Sequence, residues 1–140
     1  MIDPNPTFVA LCCWREARGE DLFTKQAQVW SVRNRVENPK WWGKTWMQVI
    51  FKPLQYSSFN PSDPNVAKFP SEGDPSWLDC LSAVNSIYTP DISTAPSLAD
   101  TTGGAVSYFD RSLDENPPSW AARMTHTVDI GNFHFYKEST

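Results

Sequence analysis

Apolar residues recur at helical spacing in four stretches of the chain and alternate with polar ones in two short stretches near its end. Between Pro6 and Ala17, Phe8, Leu11, Cys12 and Arg15 fall on one face. This predicts a first helix entered through Pro4 and Pro6 and ended at Gly19. Val29, Val32 and Val36 form the stripe of a second helix, with Thr24 as its expected N-cap and Asn38-Pro39 as its end. A short third helix is expected from Thr45 to Phe51, carrying Trp46, Val49 and Ile50. Asp74-Pro75 pairs a cap with a first-turn proline. The Trp77, Leu81, Val84, Tyr88 series that follows extends a fourth helix to Ile87.

The stretch from Lys52 to Gly73 contains Pro53, Pro61, Pro64 and Pro70 but also many aromatic rings, so it reads as an ordered loop along one wall of a cleft. Residues 89–104 are turn-rich and close with Gly103-Gly104. Ala105 to Phe109 and Phe133 to Tyr136 are expected to be two short strands, a small β-hairpin at the end of the fold. No repeat or linker divides the sequence. The pattern predicts one α+β domain, mostly helical, spanning residues 1–140.

A chain of 140 residues can bury a core without disulfides. Its net charge of -4 excludes the basic stripe of a nucleic-acid binder, so any glycan affinity must come from a shaped cleft. No apolar run is long enough to span a bilayer, and membrane insertion is not expected. Cys12, Cys13 and Cys80 are odd in number and two are vicinal, which predicts buried free thiols and a reducing compartment. The start, Met1 to Pro6, lacks the basic and apolar segments of a signal peptide. Seven Trp, eight Phe and four Tyr supply more rings than the core needs. Exposed rings suit pyranose faces.

The chemistry concentrates in Trp14-Arg15-Glu16-Ala17-Arg18-Gly19-Glu20. Glu16 falls at the end of an apolar helix, where partial burial would raise its pKa and keep it protonated as a general acid. Spacing alone favours a solvated helix end with ordinary surface charges. His126 and His134 have no zinc-motif spacing, and no phosphate loop or nucleophile elbow is present, so neither metal nor cofactor is expected.

The run Glu16 to Glu20 resembles the hallmark of the cell-wall hydrolase family typified by spore cortex-lytic enzymes and also found in phage lysins. Gln26 to Val36 is similar to that family's second helix with its Asn-Arg-Val ending, and Gln55 to Phe59 to its Gln-Phe-Ser segment. Ala105 to Phe109, Pro118 to Trp120 and Ile130 to Tyr136 are similar to its closing hairpin. The resemblance implies a lysozyme-like domain that cuts the β-1,4 bond between N-acetylmuramic acid and N-acetylglucosamine, with Glu16 as general acid. It implies a lytic transglycosylase in which Glu16 then acts as base for the muramyl C6 hydroxyl.

Gln55, Tyr56, Ser57 and Tyr108 are the candidates for holding the sugars, and Glu20, Arg35 and His134 for supporting roles. Glu20 is expected to orient loops or to pair with Arg18 or Arg35, and His134 to sit near the cleft. Most glycosidases use two carboxylates; a muramidase would draw its second from Asp110, Asp114 or Asp129. The competing readings are a peptidoglycan-binding or virion module without catalysis, and an amidase using Cys12 or Cys13. A monomeric phage endolysin, held in the host cytoplasm until the membrane is breached, is the expected setting.

Overall fold

A computed structural model describes residues 2–52 and 55–139. Helix α1 (Asn5–Ala17) carries a proline in its first turn and packs against the three other helices. Both Leu11 and Cys12 are buried as the apolar stripe requires, and Val9, Cys13 and Trp14 on the flanking faces are buried too. All three cysteines are free and enclosed in this core, where burial pushes the Cys12 and Cys13 thiols well up from their ordinary value.

Helix α2 (Leu22–Glu37) begins two residues before the expected Thr24 cap. Asp21 caps it instead, its carboxylate accepting from the Thr24 amide at 2.9 Å and the Thr24 hydroxyl at 2.7 Å. The valine stripe faces the core, but α2 is enclosed on nearly all sides. Its polar residues are therefore internal fasteners. Arg33 is 1 % exposed and donates to the carbonyls of Ile87, Ile92 and Thr94 at 2.9–3.0 Å, pinning the turn-rich segment that follows Ile87. Asn34 donates to the Ala105 carbonyl at 2.9 Å and fixes the approach to the sheet.

Helix α3 (Trp46–Ile50) is capped by Thr45, and α4 (Pro75–Ile87) by Asp74, whose other oxygen accepts from the Trp14 indole at 3.0 Å. The intervening loop is ordered by short 3-10 turns at Ser57–Phe59 and Pro64–Ala67. Arg15, just before Glu16, ties this loop to α1 by donating to the carbonyls of Val66 at 2.9 Å and Lys68 at 3.2 Å. Its guanidinium lies between the Phe59 and Phe69 rings.

The sheet has three antiparallel strands rather than two: β1 (Ser107–Asp110), β2 (Met124–Ile130) and β3 (Phe133–Glu138), in the order β1-β3-β2. The two expected strands do pair, Tyr108 opposite Phe135. The hairpin itself is β2-β3, turning at Gly131 with φ +57°. Strand β2 escapes the sequence pattern because Thr125, His126 and Asp129 are exposed and Ile130 alone of its residues is buried.

Candidate active site

The last turn of α1 delivers Glu16 to the floor of a cleft of about 410 Å³ between the helices and the sheet. The Tyr108 hydroxyl donates to Glu16 Oε1 at 3.1 Å, and Gln28 Nε2 in turn donates to the Tyr108 oxygen at 3.2 Å. Gln28 is fully buried in α2, so the series Gln28–Tyr108–Glu16 is held from inside the core. Burial raises the Glu16 pKa above the ordinary carboxylate range, opposed by Ser58 and the Tyr108 hydrogen bond; the Asp63 charge adds to the rise. The Ser58 hydroxyl is itself buried without a partner in full hydrogen-bond geometry among the described residues. Tyr108 thus makes the carboxyl's bond in full hydrogen-bond geometry, at Oε1.

Arg35 joins the two walls. Its Nε donates to the Val106 carbonyl at 2.5 Å, Nη2 to the Ser107 hydroxyl at 3.0 Å, and Nη1 to Gln55 Oε1. The same guanidinium lies 5.0 Å from the Trp42 ring centroid and 5.8 Å from that of Tyr56. Gln55 and Tyr56 line the cleft across from Tyr108, as the sequence predicts. Tyr56 is only 5 % exposed, and burial keeps its phenol protonated far above its ordinary value. The Ser57 side chain lies outside the described residues.

Several cleft residues lie outside the candidates chosen from the sequence. Trp41 and Trp120 put rings along the walls, with Trp41 60 % exposed. Glu138, at the end of β3, brings a second carboxylate to the lining and is held by Lys40 Nζ at 2.7 Å. The adjacent tryptophans Trp41-Trp42 were a visible aromatic pair, yet nothing periodic marks them as wall rather than core.

Glu20 takes the loop-orienting place rather than pairing with Arg18 or Arg35: its two oxygens accept from the Asn132 amide at 2.7 Å and side-chain nitrogen at 2.8 Å, clasping the β2-β3 turn. A side chain at Gly131 would run into Glu20 and Thr24, so the turn needs glycine for space as well as for φ. His134 is hydrogen-bonded but sits away from the cleft, because it alternates with the inward-facing Phe133 and Phe135. Asp114 and Asp129 bond to His134 there, and Asp110 caps the turn at Arg111–Leu113. None of these three aspartates lines the Glu16 cleft.

The family model described as cell wall hydrolase matches residues 19–136, which is most of the chain. The chain belongs to the cell wall hydrolase family. Within this cell wall hydrolase, the matched segment holds Glu20, Arg35, Gln55 to Ser57, Tyr108 and His134, and starts just after Glu16. The fold is similar to the catalytic domain of the Bacillus cereus SleB protein, at 25% identity and TM-score 0.64, covering 95% of this chain and 89% of that one. It is also similar to the catalytic domain of the germination-specific lytic transglycosylase SleB from Bacillus anthracis, at 25% identity and TM-score 0.67, covering 98% and 97%. No curated protein matches the sequence. The cell wall hydrolase is thus an enzyme of wall degradation with an α+β, mostly helical fold.

Proposed function

We propose that this enzyme cleaves the peptidoglycan glycan strand between N-acetylmuramic acid and N-acetylglucosamine, with Glu16 as its single acid and base. The observation that carries this reading is the desolvated Glu16 carboxyl, raised in pKa and oriented by Tyr108 on the cleft floor. Protonated Glu16 gives its proton to the glycosidic oxygen as the bond breaks. The resulting carboxylate then takes the proton of the muramyl C6 hydroxyl as that oxygen closes on C1, leaving a 1,6-anhydro end and restoring the acid. The name of the Bacillus anthracis relative, a lytic transglycosylase, agrees with this course. Gln55, Tyr56 and Tyr108 hold the sugars, and Trp41 offers a ring face to a pyranose.

Glu138 favours one second reading, a muramidase that activates water with two carboxylates, because it lies in the same lining. Its ion pair with Lys40 argues for a structural place at the cleft's end. Mass analysis of products from purified peptidoglycan decides: 1,6-anhydro ends support the transglycosylase, reducing ends the muramidase, and intact glycan strands neither.

The biological setting we propose is a monomeric phage endolysin that accumulates in a host cytoplasm and meets the wall after membrane breach. Three free, buried thiols suit that reducing compartment, and no described helix is long and apolar enough to cross a membrane. Expression in a host with and without a membrane-permeabilising agent tests it: lysis should require the agent, and lysis without it would overturn the setting.

A further inference from the structure

On the sheet face opposite Tyr108, β2 and β3 bring together three metal-ligating side chains outside the lining of the Glu16 cleft. His126 Nε2 lies 2.5 Å, and His134 Nδ1 2.7 Å, from the same atom, Asp129 Oδ1. All three donor atoms fall within 4.8 Å of one another. The grouping depends on an irregularity in the ladder. Asp129 stands opposite His134, and an unbroken register would put Thr127 opposite Tyr136 on the same face. A shift between His126 and Val128 puts His126 opposite Tyr136 instead. The bulge re-aims one imidazole onto the other, a use of bulges that recurs beside functional sites.

His134 Nε2 faces Asp114 Oδ1 at 2.6 Å while Nδ1 faces Asp129. A divalent cation would take the place of the proton between each imidazole and Asp129. An outer carboxylate on the far nitrogen of a ligating histidine is the arrangement that fixes its tautomer and strengthens it as a ligand.

We propose that His126 Nε2, Asp129 Oδ1 and His134 Nδ1 form a three-ligand site for a divalent transition metal of the zinc class, with Asp114 as the outer partner of His134. Two imidazoles and one carboxylate suit Zn²⁺, whereas Ca²⁺ would require a shell of oxygens. Tetrahedral zinc with bonds of about 2.0–2.1 Å sets its ligands roughly 3.4 Å apart. The three donor atoms reach that spacing by an outward shift of Asp129 and a closing of the two imidazoles, which the exposed positions of His126 and Asp129 allow. The fourth position opens onto a groove floored by Phe109 and Tyr136. Bound there, the metal staples β2 to β3 across the bulge and, through Asp114, fastens the loop that follows β1.

The test is calorimetric titration of the chelator-stripped full chain with Zn²⁺, paired with thermal melting. One equivalent should bind and raise the Tm. His126→Ala and Asp129→Asn should each lose at least about 100-fold in affinity, and Asp114→Asn about 10–100-fold, as outer-partner losses typically do. A folded wild-type chain that takes up no Zn²⁺ overturns the site, as does binding undiminished in His126→Ala. Should a variant fail to fold, NMR of the wild type decides: Zn²⁺ must shift the ring signals of both His126 and His134, and unmoved signals overturn the proposal.

Discussion

The Tyr108 hydroxyl reaches Glu16 Oε1 across 3.1 Å although the two residues are 92 positions apart in the chain. Tyr108 arrives from β1 with its ring against Phe133 and Phe135, while Glu16 arrives from α1. Tyr108→Phe keeps this ring packing and removes only the hydroxyl. That hydroxyl lowers the Glu16 pKa, so its loss should move the alkaline limb of the pH–rate profile upward. A hydrogen bond to a charged group is worth about 1.5–3 kcal/mol, so the turnover number should fall on the order of tenfold or more. An unchanged pH profile with normal folding would show that the bond does not tune the acid.

Glu16→Gln should abolish wall lysis almost completely, because general acid–base help is worth about 10²- to 10⁴-fold and Glu16 serves in both steps. Asp110→Asn, Asp114→Asn and Asp129→Asn should keep most activity, since none of them lines the cleft. Turbidity loss of purified walls measures this. An Asp variant as inactive as Glu16→Gln while still folded would restore a two-carboxylate scheme.

The same substitution has a signature in stability. Because the Glu16 pKa is raised in the fold, folded protein holds more protons than unfolded protein between the ordinary value of 4.5 and the raised one. Stability from this group is present below 4.5 and is lost as pH rises through the folded value. Glu16→Gln has no such loss. Its Tm relative to wild type should therefore climb with pH across that window and level off above it. A difference independent of pH would mean that Glu16 is not desolvated.

Glu20→Ala removes both acceptors of Asn132 and should destabilise the fold by about 1–3 kcal/mol in urea unfolding. Activity per folded molecule should stay within a few-fold of wild type. Complete inactivity at unchanged stability would place Glu20 in the chemistry instead of at the hairpin.

Trp41→Ala should cost little stability, as the ring is largely exposed and its edge contact with Trp42 is peripheral. Losing a stacking surface should raise KM for soluble glycan fragments several-fold and leave kcat nearly unchanged. A fall in kcat alone would contradict a sugar-holding role.

What the sequence revealed follows from which interactions are local. The fourth helix, Pro75 to Ile87, was legible because its cap, proline and apolar spacing are all local to it. The start of α2 was misplaced because Asp21 and Thr24 are both good caps, and only the observed bond from the Thr24 amide to Asp21 chooses between them. Glu16, Gln55, Tyr56 and Tyr108 were named through resemblance, and the fold brings them to one cleft. Gln28 lies in the resembling run Gln26 to Val36 but is not singled out by it: an amide inside a helix looks like a surface residue until its burial is seen. The meeting of His126 with His134 depends on a one-residue bulge, which has no local sequence mark here.

Arg35 acts as a spacer of fixed length. One flat guanidinium is bonded to Gln55 on the loop wall and to Val106 and Ser107 at the sheet wall. Its fork is planar and rigid, so it holds the two sides at one separation. A cleft with such a crossbar has a set gauge. A polymer laid in it must already be narrow enough to fit.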